Sequence, residues 1–160
     1  MTTIELLEKL TSLAGVAGDE KCSFETFKGL FSPYGKVSCD KVGNIIIEKD
    51  GKGKHILLDA HLDTIGFVVT GITDDGFLRV TKVGGVDMRT VEGTELTIYG
   101  TEDIYGVVCT VPPHLSDGES RVSKDGTCVV DIGMSKAQAE KIVSIGDRAS
   151  FRNSFSVLSE

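Results

Sequence analysis

The sequence predicts an α/β segment followed by a small all-β domain, a barrel or a sandwich, with the change of texture near residue 67. Three observations lead there. Two amphipathic helical stretches open the chain. The run His55–Ala60 is apolar on both faces, as in an interior strand of a sheet. From Phe67 onward, short β-branched runs alternate with glycine-bearing turns, and 19 glycines in 160 residues fit strands and tight turns rather than a helical bundle.

Taken in order, Thr2 and Glu5 form a capping box, Ile4, Leu7, Leu10 and Leu13 keep helical spacing, and Gly15 ends the first helix. A second helix starts near Asp19, carries Phe24, Phe27 and Phe31 on one face, and stops before Pro33. These phenylalanines read as core. A strand through Val37-Ser38-Cys39, a turn at Val42-Gly43 and a strand from Asn44 to Glu48 follow. The polar turn Lys49–Gly53 then leads into His55–Ala60. In the second part, strands are expected at Phe67–Thr70, Phe77–Thr81, Glu95–Tyr99, Ile104–Val111, Thr127–Ile132 and Asp147–Phe151. Turns fall at Asp74-Asp75-Gly76, Gly84-Gly85 and Lys124-Asp125-Gly126. One helix interrupts them, capped by Ser135 with Gln138 and turning Ala139, Ile142 and Val143 inward.

The first part raises a physical difficulty. Two helices and about three strands leave an open sheet with too little cover, and only nine residues follow Phe151. The N-terminal part is therefore expected to be incomplete, whereas the β part can close on itself.

Composition excludes several classes. The chain has 17 Lys+Arg against 24 Asp+Glu, a formal charge of -7, which argues against nucleic acid as a partner. No apolar run approaches the length of a membrane span. Met1-Thr2-Thr3 opens directly into a charged amphipathic segment rather than a signal peptide, so a cytoplasmic location is expected. Cys22, Cys39, Cys109 and Cys128 lie far apart with no CxxC pair and read as reduced, mostly buried thiols. No GxSxG, P-loop or GxGxxG motif is present.

The best chemical candidate is Asp59-Ala60-His61-Leu62-Asp63-Thr64-Ile65-Gly66, directly after the apolar run, where ligand residues commonly sit. A neutral imidazole at His61 suits zinc or cobalt, and Asp63 can orient it. The plain alternative is coincidence: a His-x-Asp arises in about one chain in four of this composition, although an Asp two positions earlier lowers that to roughly 2%. His55 and His114 read as surface or hydrogen-bonding histidines, and one histidine with one carboxylate falls short of the three protein ligands a zinc site needs.

Asp59–Phe67 resembles the first metal motif of the glutamyl/deblocking (tetrahedral) metalloaminopeptidases, some once labelled cellulase M or endoglucanase. Asp40-Lys41-Val42-Gly43-Asn44, Val83–Arg89, Gly106–Leu115 with Pro112-Pro113-His114, Asp131-Ile132-Gly133 with Ser135, and Ile145-Gly146-Asp147 are similar to further stretches of that family, in family order. The resemblance implies a partial α/β catalytic domain over 1–66, an inserted β-barrel association domain over 67–155, and a return toward the catalytic domain over 156–160. It also implies an enzyme with two divalent metals, zinc or cobalt, that removes N-terminal residues from peptides and associates with its own copies through 67–155. Carried over by position, His61 is a metal ligand and Asp63 the catalytic acidic residue that orients it and supports the water on the metal.

The sequence also departs from the family. The bridging Asp, the adjacent Glu pair, a further carboxylate and the last His of the family lie in a C-terminal half that these 160 residues do not include. Thr64 stands where an acidic residue is common. The chain alone is thus expected to be catalytically incompetent, since loss of a general base costs about 10²–10⁴ in rate. Two other readings stay open: a non-catalytic assembly or regulatory subunit acting through the β domain, and a half-enzyme completed in trans. Carbohydrate cleavage is disfavoured, because nothing pairs two carboxylates by spacing.

Overall fold

A computed structural model describes residues 1–13, 15–110, 126–152 and 155–158. The chain forms two compact units, Met1–Thr64 and Ile65–Glu160.

The first unit begins with α1 (Thr3–Thr11). The Glu5 N–H donates to Thr2 Oγ1 at 3.2 Å and the Thr2 N–H donates to Glu5 Oε2 at 2.7 Å, which is the expected capping box. The helix closes earlier than Gly15. The Thr11 hydroxyl donates to the Leu7 carbonyl (2.8 Å) and the Ser12 hydroxyl to the Glu8 carbonyl (2.7 Å), so side chains satisfy the last turn and Leu13 falls outside it. A single 3₁₀ turn (Glu20–Ser23) precedes α2 (Phe24–Phe31). Phe27 is buried and stacks on Phe31 one turn away, with ring centroids 5.7 Å apart. The helix gives way at Ser32-Pro33, as expected.

The hairpin β1 (Lys36–Cys39) and β2 (Ile45–Glu48) follows, in the register Cys39↔Ile45 to Lys36↔Glu48. Its turn is organised by one carboxylate. Asp40 Oδ1 accepts the N–H groups of Val42, Gly43 and Asn44, each at 2.9 Å, and Oδ2 accepts the Asn44 amide at 2.7 Å. Gly43 takes a φ of +105°, a region a Cβ disfavours.

The expected interior strand is not formed. Residues 49–63 carry no strand, and Ile56, Leu57 and Leu58 are 85, 89 and 91% exposed. The reason is in the ladder: a strand exists only with neighbours to accept its backbone bonds, and among the described residues none lies alongside it. Among the described residues the first unit therefore holds two strands, not three.

The second unit is a closed antiparallel barrel in the order β3 (Gly66–Ile72), β4 (Leu78–Val83), β7 (Thr127–Asp131), β6 (Asp103–Val108), β5 (Glu95–Tyr99), β8 (Arg148–Phe151), and back to β3. Side chains alternate in and out. Along β6, Ile104, Gly106 and Val108 are buried while Asp103, Tyr105 and Val107 are exposed. Registers such as Leu96↔Gly106, Ile98↔Ala149 and Leu78↔Val130 stack the inward residues of neighbouring strands into one core. A bulge between Val69 and Gly71 bends β3, which helps so short a sheet to close.

Two insertions plug the barrel. The loop around the 3₁₀ turn Met88–Thr90 supplies Val86, Met88 and Val91. Helix α3 (Lys136–Ile142) supplies Ala139, with Val143 just beyond it, and Ile142 packs at the edge. Gln138 Oε1 accepts from both the N–H (3.0 Å) and the hydroxyl (2.8 Å) of Ser135.

Candidate functional site

Between β2 and the barrel, the candidate segment runs in an extended, non-strand conformation. His61 Nδ1 lies 3.1 Å from the Asp63 carbonyl and 3.3 Å from Asp63 Oδ1. The imidazole is 86% exposed and the Asp63 side chain 41%. A ring held at Nδ1 by its own neighbour, and open to solvent, leaves Nε2 for another partner. A carbonyl or carboxylate oxygen beside Nδ1 is the kind of neighbour that orients a ligating histidine.

The segment is fastened at its end. The Thr64 N–H donates to the Gly15 carbonyl at 2.8 Å and the Ala17 N–H donates to the Thr64 carbonyl at 3.3 Å, an isolated parallel bridge between Val16 and Thr64. Gly15, expected from the sequence as a helix stop, thus also lends its carbonyl to the bridge. The clue was the apolar Val16 between Gly15 and Gly18, too short to score by periodicity.

The remaining donors do not gather around His61. Asp59 and His55 are exposed, and His114 lies outside the described residues. Among the described residues no three His, Cys, Asp or Glu side chains come together to hold a metal ion. The imidazole and carboxylate suit one ligand position, but this donor set does not complete a tetrahedral site.

Among the described residues the thiols join no metal-binding cluster. Cys39, Cys109 and Cys128 are free and half-buried rather than fully buried. Burial, with Cys109 beside it, pushes the Cys128 thiol up to about 11, and burial followed by Asp131 pushes that of Cys109 upward. Both stay protonated at neutral pH and are poor ligands. Asp87 and Arg89, in the Val83–Arg89 stretch, form an exposed paired contact with Arg89 Nη2 2.6 Å from Asp87 Oδ2. Hydrogen bonds from Arg89 hold the Asp87 carboxyl at about 2. This pair closes the loop onto itself.

A model of the M42 glutamyl aminopeptidase family matches residues 43–160. The chain belongs to that family. It is 32% identical over 169 aligned residues to the lysyl aminopeptidase of Pyrococcus furiosus, an alignment covering 100% of this chain and 49% of that protein. In structure it is similar to the TET1 peptidase of Pyrococcus horikoshii, described as able to assemble into a tetrahedron or a large octahedral shell. That match has a TM-score of 0.85 at 37% identity, covering 98% of this chain and 48% of that one. A Thermotoga maritima protein described as an endoglucanase superposes with a TM-score of 0.74 at 32% identity, covering 91% and 44%. The chain thus spans about half the length of the relatives it matches and corresponds to the N-terminal part of a member of this family. No helix among the described residues is long and apolar enough to cross a membrane.

Proposed function

We propose that this chain supplies the N-terminal part of a two-metal aminopeptidase that removes N-terminal residues from peptides in the cytoplasm, with His61 as a metal ligand and Asp63 as the acidic residue that orients it. The supporting observation is the Nδ1 contact to Asp63 within a family-matched segment, which leaves Nε2 open. Two divalent ions, zinc or cobalt, would polarise the scissile carbonyl and lower the pKa of water in the complete enzyme. The described donors do not complete such a centre, so the chain by itself is proposed to be inactive. Residues 67–155 are proposed as the surface through which copies associate, in keeping with the assembling TET1 relative. Neither nucleic acid nor membrane is a proposed partner.

The test is aminopeptidase turnover by the purified 160-residue chain with added zinc or cobalt, with bound metal quantified in the same sample. No turnover and less than one tight metal per chain is the expected result. Turnover with two metals per chain would overturn the inactive reading, and His114 would be the first residue to replace. Fused to the complementary portion of the Pyrococcus furiosus lysyl aminopeptidase, the chain is expected to gain metal-dependent turnover. His61→Ala should abolish that turnover, and Asp63→Asn should lower metal affinity or activity about 10–100-fold.

A second reading, a half-enzyme completed in trans, is favoured by the exposed run Ile56-Leu57-Leu58, which a partner strand would cover. Recovery of turnover on mixing, rather than fusing, the two parts would distinguish it.

A further inference from the structure

We infer that Val16 is a positioning residue for the His61–Asp63 turn, acting through the bridge at Thr64. The inference rests on the proposed role of His61. Three observations carry it.

First, the bridge is the tie between the candidate segment and the rest of its unit. Among the described residues, the backbone hydrogen bonds joining residues 51–64 to the remainder of the first unit are those of Thr64 with Gly15 and Ala17. The turn bearing His61 and Asp63 ends one residue upstream of that tie. Second, Val16 is 1% exposed in a unit whose other buried apolar side chain, among the described residues, is Phe27. A fully buried β-branched side chain has little χ1 freedom and acts as a fixed peg. Third, the backbone around the peg is itself folded tightly. The Asp19 N–H donates to the Val16 carbonyl at 2.9 Å, and the Gly18 N–H donates to Glu20 Oε1 at 2.8 Å. Gly18 adopts a φ of +89°, which a glycine tolerates without strain.

The peg thus sets the Gly15 carbonyl and the Ala17 N–H in register, and these set Thr64. With Thr64 fixed, Asp63 has a defined origin for its contacts with the imidazole. Without it, residues 51–63 would have no backbone anchor at this end, and the Nδ1 contact would be one of many conformers.

The experiment compares the chain with Val16→Ala, Val16→Ile and Ala17→Pro, using amide hydrogen exchange read by NMR. In the parent, the Thr64 amide should exchange at least tenfold more slowly than those of residues 56–62. Val16→Ala should remove that protection, while α2 and the barrel strands β3 and β5 keep theirs, and Val16→Ile should restore it. Ala17→Pro deletes one bridge donor while keeping the Val16 side chain, and should likewise deprotect Thr64 selectively. Unchanged Thr64 protection in Val16→Ala overturns the inference. So does protection lost equally from Thr64 and α2 in both the alanine and the proline variant, which would make Val16 a general support of the unit.

Zinc added to the same samples separates the underlying reading. If the His61 imidazole signals of the parent respond at lower zinc than those of His55, the ligand role stands, and Val16→Ala should raise the zinc needed about tenfold. If His61 and His55 respond alike in the parent, the ligand role falls, whatever the exchange data show for Val16.

Discussion

A methyl group has no place at Gly106. A Cβ there would lie 2.6 Å from Val130 Cγ1 and 2.9 Å from both the Asp131 carbonyl and Ile132 Cγ2, inside a closed barrel that cannot open to relieve it. Gly106→Ala is therefore expected to destabilise the barrel by about 1–3 kcal/mol, read as an earlier denaturant midpoint in the near-ultraviolet signal. Cys128 on the neighbouring strand gives a second expectation at this scale. Burial raises its thiol from 9.0 to about 11 in the folded chain, so the folded state holds this proton more tightly than the unfolded one. The resulting stability is fully present below about pH 9 and is lost as the pH rises toward about 11. Other groups titrate there too, so the decisive quantity is a difference. The fall in melting temperature between pH 8 and pH 11 should be smaller in Cys128→Val than in the parent, and equal falls would refute the assignment.

At the scale of elements, the turns carry much of the specification. Gly76 closes the loop between β3 and β4 with a φ of +91°, and a Cβ there would overlap the Met134 carbonyl just ahead of α3. Gly76→Ala should cost at least about 2 kcal/mol, from the left-handed backbone and the clash together. Hydrogen exchange should place the damage in that hairpin and in the first turn of α3. Such turns were legible in the sequence because glycine and Asx residues act locally. Asp74-Asp75-Gly76, the Asp40–Asn44 turn and both capping boxes needed nothing beyond a few neighbours. The strands of the barrel were legible for a related reason, since alternation such as Ile104, Gly106, Val108 inward is written directly in the chain. His55–Ala60 shows the limit. Its apolar pattern is that of an interior strand, but strand formation is decided by partners distant in sequence, and no local pattern can state whether they are there. The candidate site divides in the same way. His61 and Asp63 stood out by type, spacing and resemblance, whereas the bridge through Val16 was invisible because it joins residues 48 positions apart with one side chain each.

At the scale of the molecule, burial is distributed unevenly, and behaviour should follow it. Of the buried apolar side chains among the described residues, only Val16 and Phe27 belong to the first unit, while the others form the core of the barrel unit. The barrel strands are expected to show the slowest-exchanging amides, and α1, with no buried residue, some of the fastest. The first unit also presents three consecutive large apolar side chains, Ile56, Leu57 and Leu58, to solvent. Among the described residues the backbone groups there have no ladder partners, and apolar side chains with open backbone make an aggregation-prone segment. In sedimentation velocity the chain should therefore self-associate without a fixed stoichiometry as concentration rises. Replacing Ile56→Thr, Leu57→Asn and Leu58→Thr together should suppress that open-ended association and leave the exchange pattern of β3 to β8 unchanged, because those residues contribute nothing to the barrel core. An assembly built through residues 67–155 would respond differently. It would keep a defined size in the triple variant, since a closed interface saturates whereas exposed strand edges do not. Loss of all association in the triple variant would place the contact on the apolar run, and a discrete species that survives it would place the contact on the barrel.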